Sequence, residues 1–440
     1  MLPKVTIIMP SLNVADYIEE CIKSVIFQTL KEIEILCIDA GSTDGTLEIL
    51  QKYADMDRRI RLINSDRRSY GYQVNLGIRQ AQGEYVAILE TDDYIVESMY
   101  ESLYDKAYQY DLDYIKGDYI RVEQIYDEVY CSPISIFHSD ERELYDKIIS
   151  TQNMPQLYWR DIHIWKGLYK KEFLIRNEIF LNESAGAAYQ DYGFGLLLHT
   201  KAVRGMFVPQ TYYYYRWGRA GASSGNKNIL KYSYQEFKRV FEEELINPTK
   251  QQLNQIYYRI AIDFPSEYSR VLKMVGYDIE SDYLSPFYGW FKNLLEGALS
   301  SGSLTKENAP VQFWDSLQLL MEQPEKYADS IKAADECRQF RIAELNACGA
   351  VIFGAGKRGM QAYKHLRGDG IKINAVVDNA FQKQGNLMGK YTIISLEQCI
   401  RENKDSFYII ANLKHKQDIR EQLLGCGISK SKIKNYEELC

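Results

Sequence analysis

KVTIIMPSLNVADYIEECIKSVIFQT, residues 4–29, decides the fold class. Residues 4–9 form a continuous apolar, β-branched run, the pattern of a strand buried on both faces. Asn13 is placed to cap the next element, a helix. In it Val14, Tyr17, Ile18, Cys21, Ile22 and Val25 recur at helical spacing. The alternation continues outward. IEILCI (33–38) reads as a second strand, and DAGSTDGT as a loop in which Ser42, Thr43 or Asp44 caps a helix through about Tyr53. IRLI (60–63) is a third strand, NLGIRQAQ a helix ended by Gly83, and YVAIL (85–89) a fourth strand. Strand and helix in turn predict a doubly wound, mostly parallel α/β sheet with helices on both faces.

The chain has 440 residues; at ~100–200 residues per domain that allows two to four domains. Residues 100–225 are mixed. From 226 to 345 helical periodicity dominates, at 234–245, 251–263, 287–299 and 312–346, interrupted by Pro248, Pro265, Pro286 and Pro310. From 350 a second α/β alternation begins: AVIFGAG, a helix, INAVVDN, a helix near 395–403, then FYIIAN. The expected division is 1–225, a helical connector 226–345, and a smaller α/β domain 346–440.

With 46% hydrophobic and 26% charged residues the chain reads as an ordinary soluble globular protein, and its net charge of −7 excludes a general nucleic-acid binder. No signal peptide and no apolar stretch of ~18 residues is found, so no transmembrane helix is expected. The eight cysteines show no CxxC and the five histidines no HxxxH. A reduced, cytoplasmic protein without structural zinc is the expectation, with Cys21 and Cys37 as core residues.

In an open parallel sheet, ligands bind outside the carboxyl ends of the strands. Three polar groups fall there: Pro10–Asn13, Asp39–Asp44 and Glu90–Asp93. Asp92 and Asp93 are adjacent carboxylates, which suit Mg²⁺ or Mn²⁺ shared with a substrate diphosphate. The plainer reading is that they cap the next turn; their place beside two other polar loops favours the cation.

Together, VTIIMPSLNVADYIEECIKSVIFQT, ILCIDAGSTDGT, GYQVNLGIRQAQGEYVAILETDDYI and YQDYGF resemble family 2 glycosyltransferases of the GT-A fold, over about residues 3–220. The resemblance implies inverting, metal-dependent transfer of a sugar from a nucleotide-sugar donor to an acceptor hydroxyl. Carried over by position, Pro10, Ser11, Leu12, Asn13 and Asp39 line the nucleotide pocket, and Asn75 belongs to the same side. Asp92 lies at the ribose or metal, and Asp93 ligates Mn²⁺ or Mg²⁺. Glu90 stands where the family often has another Asp. Leu12, Ala40 and Val74 depart from the residues that the family uses for the base and the phosphates, which leaves the base open and Arg67 and Arg68 as alternative cations. Asp191 matches the catalytic base, beside Gln190 where Glu is usual; the alternative is a helix cap for 192–200. YYYYRWGRAGASSG resembles the loop near the diphosphate, with Arg216 and Arg219 as cations. Trp165 packs under a sugar or, the better expectation, in the core. Lys170, Lys171 and Arg176 suit a membrane surface or, more plainly, a solvated face.

AVIFGAGKRGMQAYKHL sets Gly354, Gly356 and Gly359 in a GxGxxG, with Asp378 about 20 residues on, the spacing of a ribose-binding acid. It resembles Rossmann-like domains beside sugar-modifying enzymes and implies a second nucleotide or nucleotide-sugar site; the alternative is a glycine turn needed only for packing. The whole suggests bacterial surface polysaccharide or glycan synthesis, with a glycan or lipid-linked acceptor, in the cytoplasm, with association at the inner membrane face and homo-oligomer formation left open. A non-catalytic nucleotide-sugar scaffold is the alternative, and a nucleotidyltransferase is disfavoured by the absence of a glycine-rich phosphate loop in PSLNVADY.

Overall fold

A computed structural model describes residues 2–218, 226–309 and 311–439. The chain forms two compact units, residues 1–123 with 130–328, and 329–440 with the segment 124–129.

The first unit opens with β1 Val5–Ser11, α1 Ala15–Ile26, β2 Ile33–Asp39, α2 Thr46–Met56, β3 Ile60–Asn64, α3 Tyr70–Gln80 and β4 Tyr85–Ile88. It continues with β5 Tyr94–Ile95, α4 Met99–Gln109, β6 Tyr114–Ile125, β7 Glu128–Ile134, α5 Leu157–Arg160, β8 Gly167–Lys170, α6 Lys171–Arg176, α7 Gln190–Lys201 and β9 Gly205–Trp217. Helices α8 Ile229–Glu242, α9 Lys250–Met274, α10 Ser285–Ser300 and α11 Val311–Glu322 come next.

The sheet runs β3-β2-β1-β4-β8-β6-β9-β5, with β7 beside β6. Strands β3, β2, β1 and β4 are parallel; β8 is antiparallel to both β4 and β6. The continuous apolar runs of β1, β2 and β4 are explained by burial on both faces. Val5, Ile7 and Met9 pack with Ile35, Cys37 and α1 on one side. Ile8 packs with Leu36, Ile38 and α3 on the other.

The expected Asn13 cap does not form. Asn13 takes a left-handed φ of 54°, and its Oδ1 accepts the Thr43 N–H at 2.8 Å. The cap of α1 comes instead from the next loop, where Asp44 Oδ2 accepts the Ala15 N–H at 2.9 Å. The same carboxylate accepts the Thr46 N–H at 3.1 Å, so one side chain serves the N-termini of α1 and α2. Pro265 lies inside α9 without ending it, and 312–346 is two helices rather than one. Trp165 is core, stacked on Tyr215 and His163 at 4.9 and 4.7 Å. No helix among the described residues is long and apolar enough to cross a membrane.

Helix α12 Pro324–Cys348 begins in the first unit and, from Asp329, belongs to the second, where it leads into β10 Ala350–Phe353, α13 Lys357–Gly368, β11 Ile373–Val377, β12 Leu387–Met388, β13 Tyr391–Ile394, α14 Leu396–Asn403, β14 Phe407–Ile410, α15 Lys416–Gly425 and β15 Ile433–Asn435. The strand order is β12-β13-β11-β10-β14-β15, parallel except for β12.

Candidate functional site

The carboxyl ends of β1, β2 and β4 meet, and side chains lace them together. The Ser11 hydroxyl donates to Asp39 Oδ2 at 3.0 Å, and the Thr91 hydroxyl donates to the Pro10 carbonyl at 2.8 Å. Asp39 is buried, and its other contacts shape its own loop: Oδ1 accepts the N–H groups of Gly41 and Ser42, and Oδ2 the Ser42 hydroxyl. Asp39 thus fixes the backbone at the mouth of the crevice, with Asn13 and Leu12 exposed beside it.

The acidic turn after β4 is held from the far side of the sheet. Asp93 is fully buried; Oδ2 accepts the Tyr213 hydroxyl at 2.8 Å and Oδ1 the Arg216 N–H at 2.7 Å. Burial, and next the neighbouring Asp92, push the Asp93 carboxyl well above its ordinary range. The Arg216 guanidinium lies over the Tyr94 ring at 4.8 Å and donates to the Asp92 carbonyl and to Glu20. Glu90 accepts the Tyr70 hydroxyl.

Asp92 is half-buried beside Asp93. Among the described residues no three His, Cys, Asp or Glu side chains form a metal cage. The donor set is therefore the half-buried Asp92 and, behind it, Asp93, whose oxygens already accept from Tyr213 and Arg216 and whose burial favours the neutral form until a cation lies beside it. That chemistry fits a divalent cation shared with a diphosphate.

Asp191 lies in the first turn of α7, after Tyr189 at φ 67°. It is a first-turn residue rather than the cap. Burial pushes its carboxyl up to about 6, against the pull of Arg259 and of the helix-end N–H groups of Asp191 and Tyr192. It lines a small cleft with Tyr158, Asp161, Tyr192, Phe237 and Arg259. Tyr70 lies near both regions: its hydroxyl donates to Glu90, and burial first, then the charges of Glu90 and Asp191, push it above its ordinary range.

Pro10, Ser11, Leu12, Asn13, Asp39, Asp92, Asp93 and Arg216 therefore share one end of the sheet. Asn75 is turned elsewhere. Its amide is buried and pairs with the backbone N–H and carbonyl of Leu181, both at 2.9 Å. Arg67 pairs with Glu183, and Arg68 donates to the Gly41 carbonyl at 3.3 Å. Arg219 lies outside the described residues. Sequence reasoning missed Tyr213, Tyr70 and Arg259; only Tyr213 carried a signal, as part of the Tyr212–Tyr215 row.

In the second unit the glycine turn comes directly after β10. Gly354 has φ +117°, Gly359 lies under the Gly354 carbonyl, and Gly356 faces open space. Asp378 accepts the N–H groups of Ala355 and Ala380 and the Lys383 ammonium.

Residues 6–173 match the model of Glycosyl transferase family 2, and residues 348–434 match that of C2185-like, N-terminal. The chain is 30% identical to the uncharacterized glycosyltransferase EpsJ of Bacillus subtilis over 49% of its own length and 62% of that protein's. It is 24% identical to the glycosyltransferase GlyA of Streptococcus pneumoniae over 75% of its own length and 43% of that protein's. It thus spans less than two thirds of the length of either relative. The S. aureus TarS 1-349 structure in complex with UDP-GlcNAc superposes with a TM-score of 0.58 at 15% identity, over 76% of this chain and 92% of that one, which is a likeness of fold. With the sheet, the acidic turn and these matches in hand, residues 6–173 of this chain are similar to Glycosyl transferase family 2, and its fold is like that of the TarS structure.

Proposed function

We propose that this chain transfers a sugar from a nucleotide-sugar donor to an acceptor hydroxyl with inversion, in the building of a bacterial surface glycan at the inner face of the membrane. The nucleotide occupies the mouth formed by Pro10–Asn13 and the Asp39 loop. Asp92 and Asp93 would hold Mn²⁺ or Mg²⁺, with the half-buried Asp92 facing the diphosphate and Asp93 behind it. A divalent cation bound there supplies neutralisation of the charge that develops on the leaving diphosphate. Arg216, clamped to the same turn, adds a fixed positive charge. Asp191 takes the acceptor proton; a carboxylate with a pKa near 6 is ionised at neutral pH and basic enough to accept it.

The observation that carries this reading is the meeting of Pro10–Asn13, the Asp39 loop and the Asp92–Asp93 turn at one end of the sheet, with the Tyr70 hydroxyl donating to Glu90 of that turn and Asp191 among the charges that act on it. The first test is a thermal-shift panel of nucleoside diphosphates and nucleotide-sugars with and without Mn²⁺, in which a bound ligand raises the midpoint by mass action. The hit is then assayed for turnover. Asp92→Asn should lose the Mn²⁺-supported shift. Asp191→Asn should keep donor binding and lose transfer. Full transfer by both variants overturns the assignment.

For the second unit, the open face of Gly356 at the N-terminus of α13 supports nucleotide binding as a separate proposal. Calorimetry of the full chain with a nucleotide, repeated on Gly356→Val, tests it; identical isotherms overturn it.

A further inference from the structure

We infer that α9, outside the segment matched by the family model, completes the catalytic centre: Arg259 is a positioning residue that faces Asp191 across the cleft and keeps its carboxylate ready to accept a proton. The inference rests on the reading of Asp191 as the base.

The geometry of Arg259 is fixed from three sides. Its Nε donates to Asp263 one turn along α9. Its guanidinium sits over the Tyr192 ring at 4.6 Å, and Tyr192 is the residue after Asp191. It lines the same cleft as Asp191 and is buried there. The helix that carries it is pinned to the glycosyltransferase unit: Gln252 donates to the Thr151 hydroxyl at 2.7 Å, and the Trp159 indole donates to Gln255 at 2.9 Å. A guanidinium held this way keeps its charge, since no neutral form is accessible to it.

The surroundings of Asp191 show why a cation is needed. Glu236 faces it from α8. From α9 come Asp263, paired with Arg259, and the buried Glu267 near it. Tyr70 approaches from α3. On the sheet side, Lys116 of β6 is also positive, but it is bound to the buried Asp161 at 2.6 Å, which holds Lys166 at 3.2 Å and His199 at 3.2 Å as well. Its charge is shared within that cluster. Arg259 is the largest charge opposing the burial of Asp191, ahead of Lys116. Without it, burial and the acidic neighbours on α8 and α9 would hold the proton on Asp191 at neutral pH.

The test needs no substrate. The full chain is labelled with [¹³Cγ]aspartate, and its carboxyl resonances are titrated; Asp191→Asn identifies the Asp191 signal. Arg259→Gln alone leaves Asp263 buried and uncompensated and can unfold the chain, so Arg259→Gln/Asp263→Asn, which removes both halves of the pair, is the decisive variant. The expected result is a midpoint raised by about one pH unit or more in the double variant, and a wild-type midpoint in Arg259→Lys, which keeps the charge. An unmoved midpoint in the double variant overturns the inference. Transfer assays separate this from failure of the function itself: transfer retained by Asp191→Asn removes the base and leaves the titration result standing. With transfer confirmed, the double variant should lose kcat about fivefold at pH 6 and about twofold at pH 7, as a one-unit rise from about 6 demands, with donor KM unchanged.

Discussion

The Tyr213 hydroxyl donates to Asp93 Oδ2 at 2.8 Å across 120 positions of sequence, joining the last strand of the sheet to the acidic turn after β4. The Glu90 N–H donates to the same hydroxyl oxygen at 3.2 Å, so one phenol holds both ends of the turn. Tyr213→Phe keeps the ring against Trp165, 4.2 Å between centroids, and removes only the oxygen. Leaving the buried Asp93 short of a donor should lower unfolding free energy by about 1–3 kcal/mol, read from the urea midpoint at constant slope. An unchanged midpoint would show that the turn is held without Tyr213.

Asn75 offers a sharper choice between scaffold and substrate contact. Both halves of its buried amide serve the Leu181 backbone. Asn75→Ala should therefore orphan a buried N–H and a carbonyl, at about 1–3 kcal/mol each. Thermal melts of the ligand-free chain should show the whole loss. Nucleotide affinity, measured below the melting transition, should stay within severalfold of wild type. A variant as stable as wild type that binds donor poorly would assign Asn75 to the nucleotide instead.

Glu236 makes stability depend on pH with a definite sign. Burial pushes its carboxyl up from 4.5 to about 7, although Asn182 donates to it at 2.8 Å. The folded state therefore holds a proton that the unfolded state releases above about 4.5. The stability due to the neutral acid is full below that pH and is lost as pH rises through about 7. Glu236→Gln keeps an oxygen for Asn182 and stays neutral. It should match wild type at pH 4.5 and exceed it at pH 8, by about 3 kcal/mol at most. Equal pH dependence in the two proteins would rule out a buried, protonated Glu236.

How far the sequence can be read depends on the range of each interaction. Residues 4–9, 33–38 and 85–89 announce buried strands because all their side chains but Lys4, Thr6 and Glu34 are apolar or aromatic, a local property. The convergence of Pro10, Asp39 and Asp92 rests on one topological rule about strand ends. The cap of α1 escapes such reading because Asp44 and not Asn13 provides it, 29 positions from the N–H it serves. Tyr70, Tyr213 and Arg259 act through contacts that only the folded chain creates. Arg259 sits in a helix whose periodicity shows an apolar face and gives no sign of what its polar side chains meet. Pro265 reads as a break, yet α9 passes through it, with the Pro265 carbonyl accepting the Tyr327 hydroxyl at 3.1 Å.

The glycines of the second unit separate packing from binding. A Cβ on Gly359 would lie 1.7 Å from the Gly354 carbonyl oxygen, a contact that no rotamer relieves because the atom is backbone. Gly359→Ala must push α13 away from β10 and should destabilise the unit by several kcal/mol, at the severe end for a single substitution. Gly356 has nothing within 4 Å of its Cβ position and an ordinary negative φ of −105°. Gly356→Ala should therefore melt with wild type. If the turn serves packing alone, that variant is silent in every assay. If a phosphate approaches the α13 N-terminus, the added methyl stands in its path, and nucleotide-induced stabilisation should fall while the ligand-free melt is unchanged. A thermal-shift titration of the two variants beside wild type distinguishes the cases, because the same methyl group is a core defect at one glycine and only a steric probe at the other.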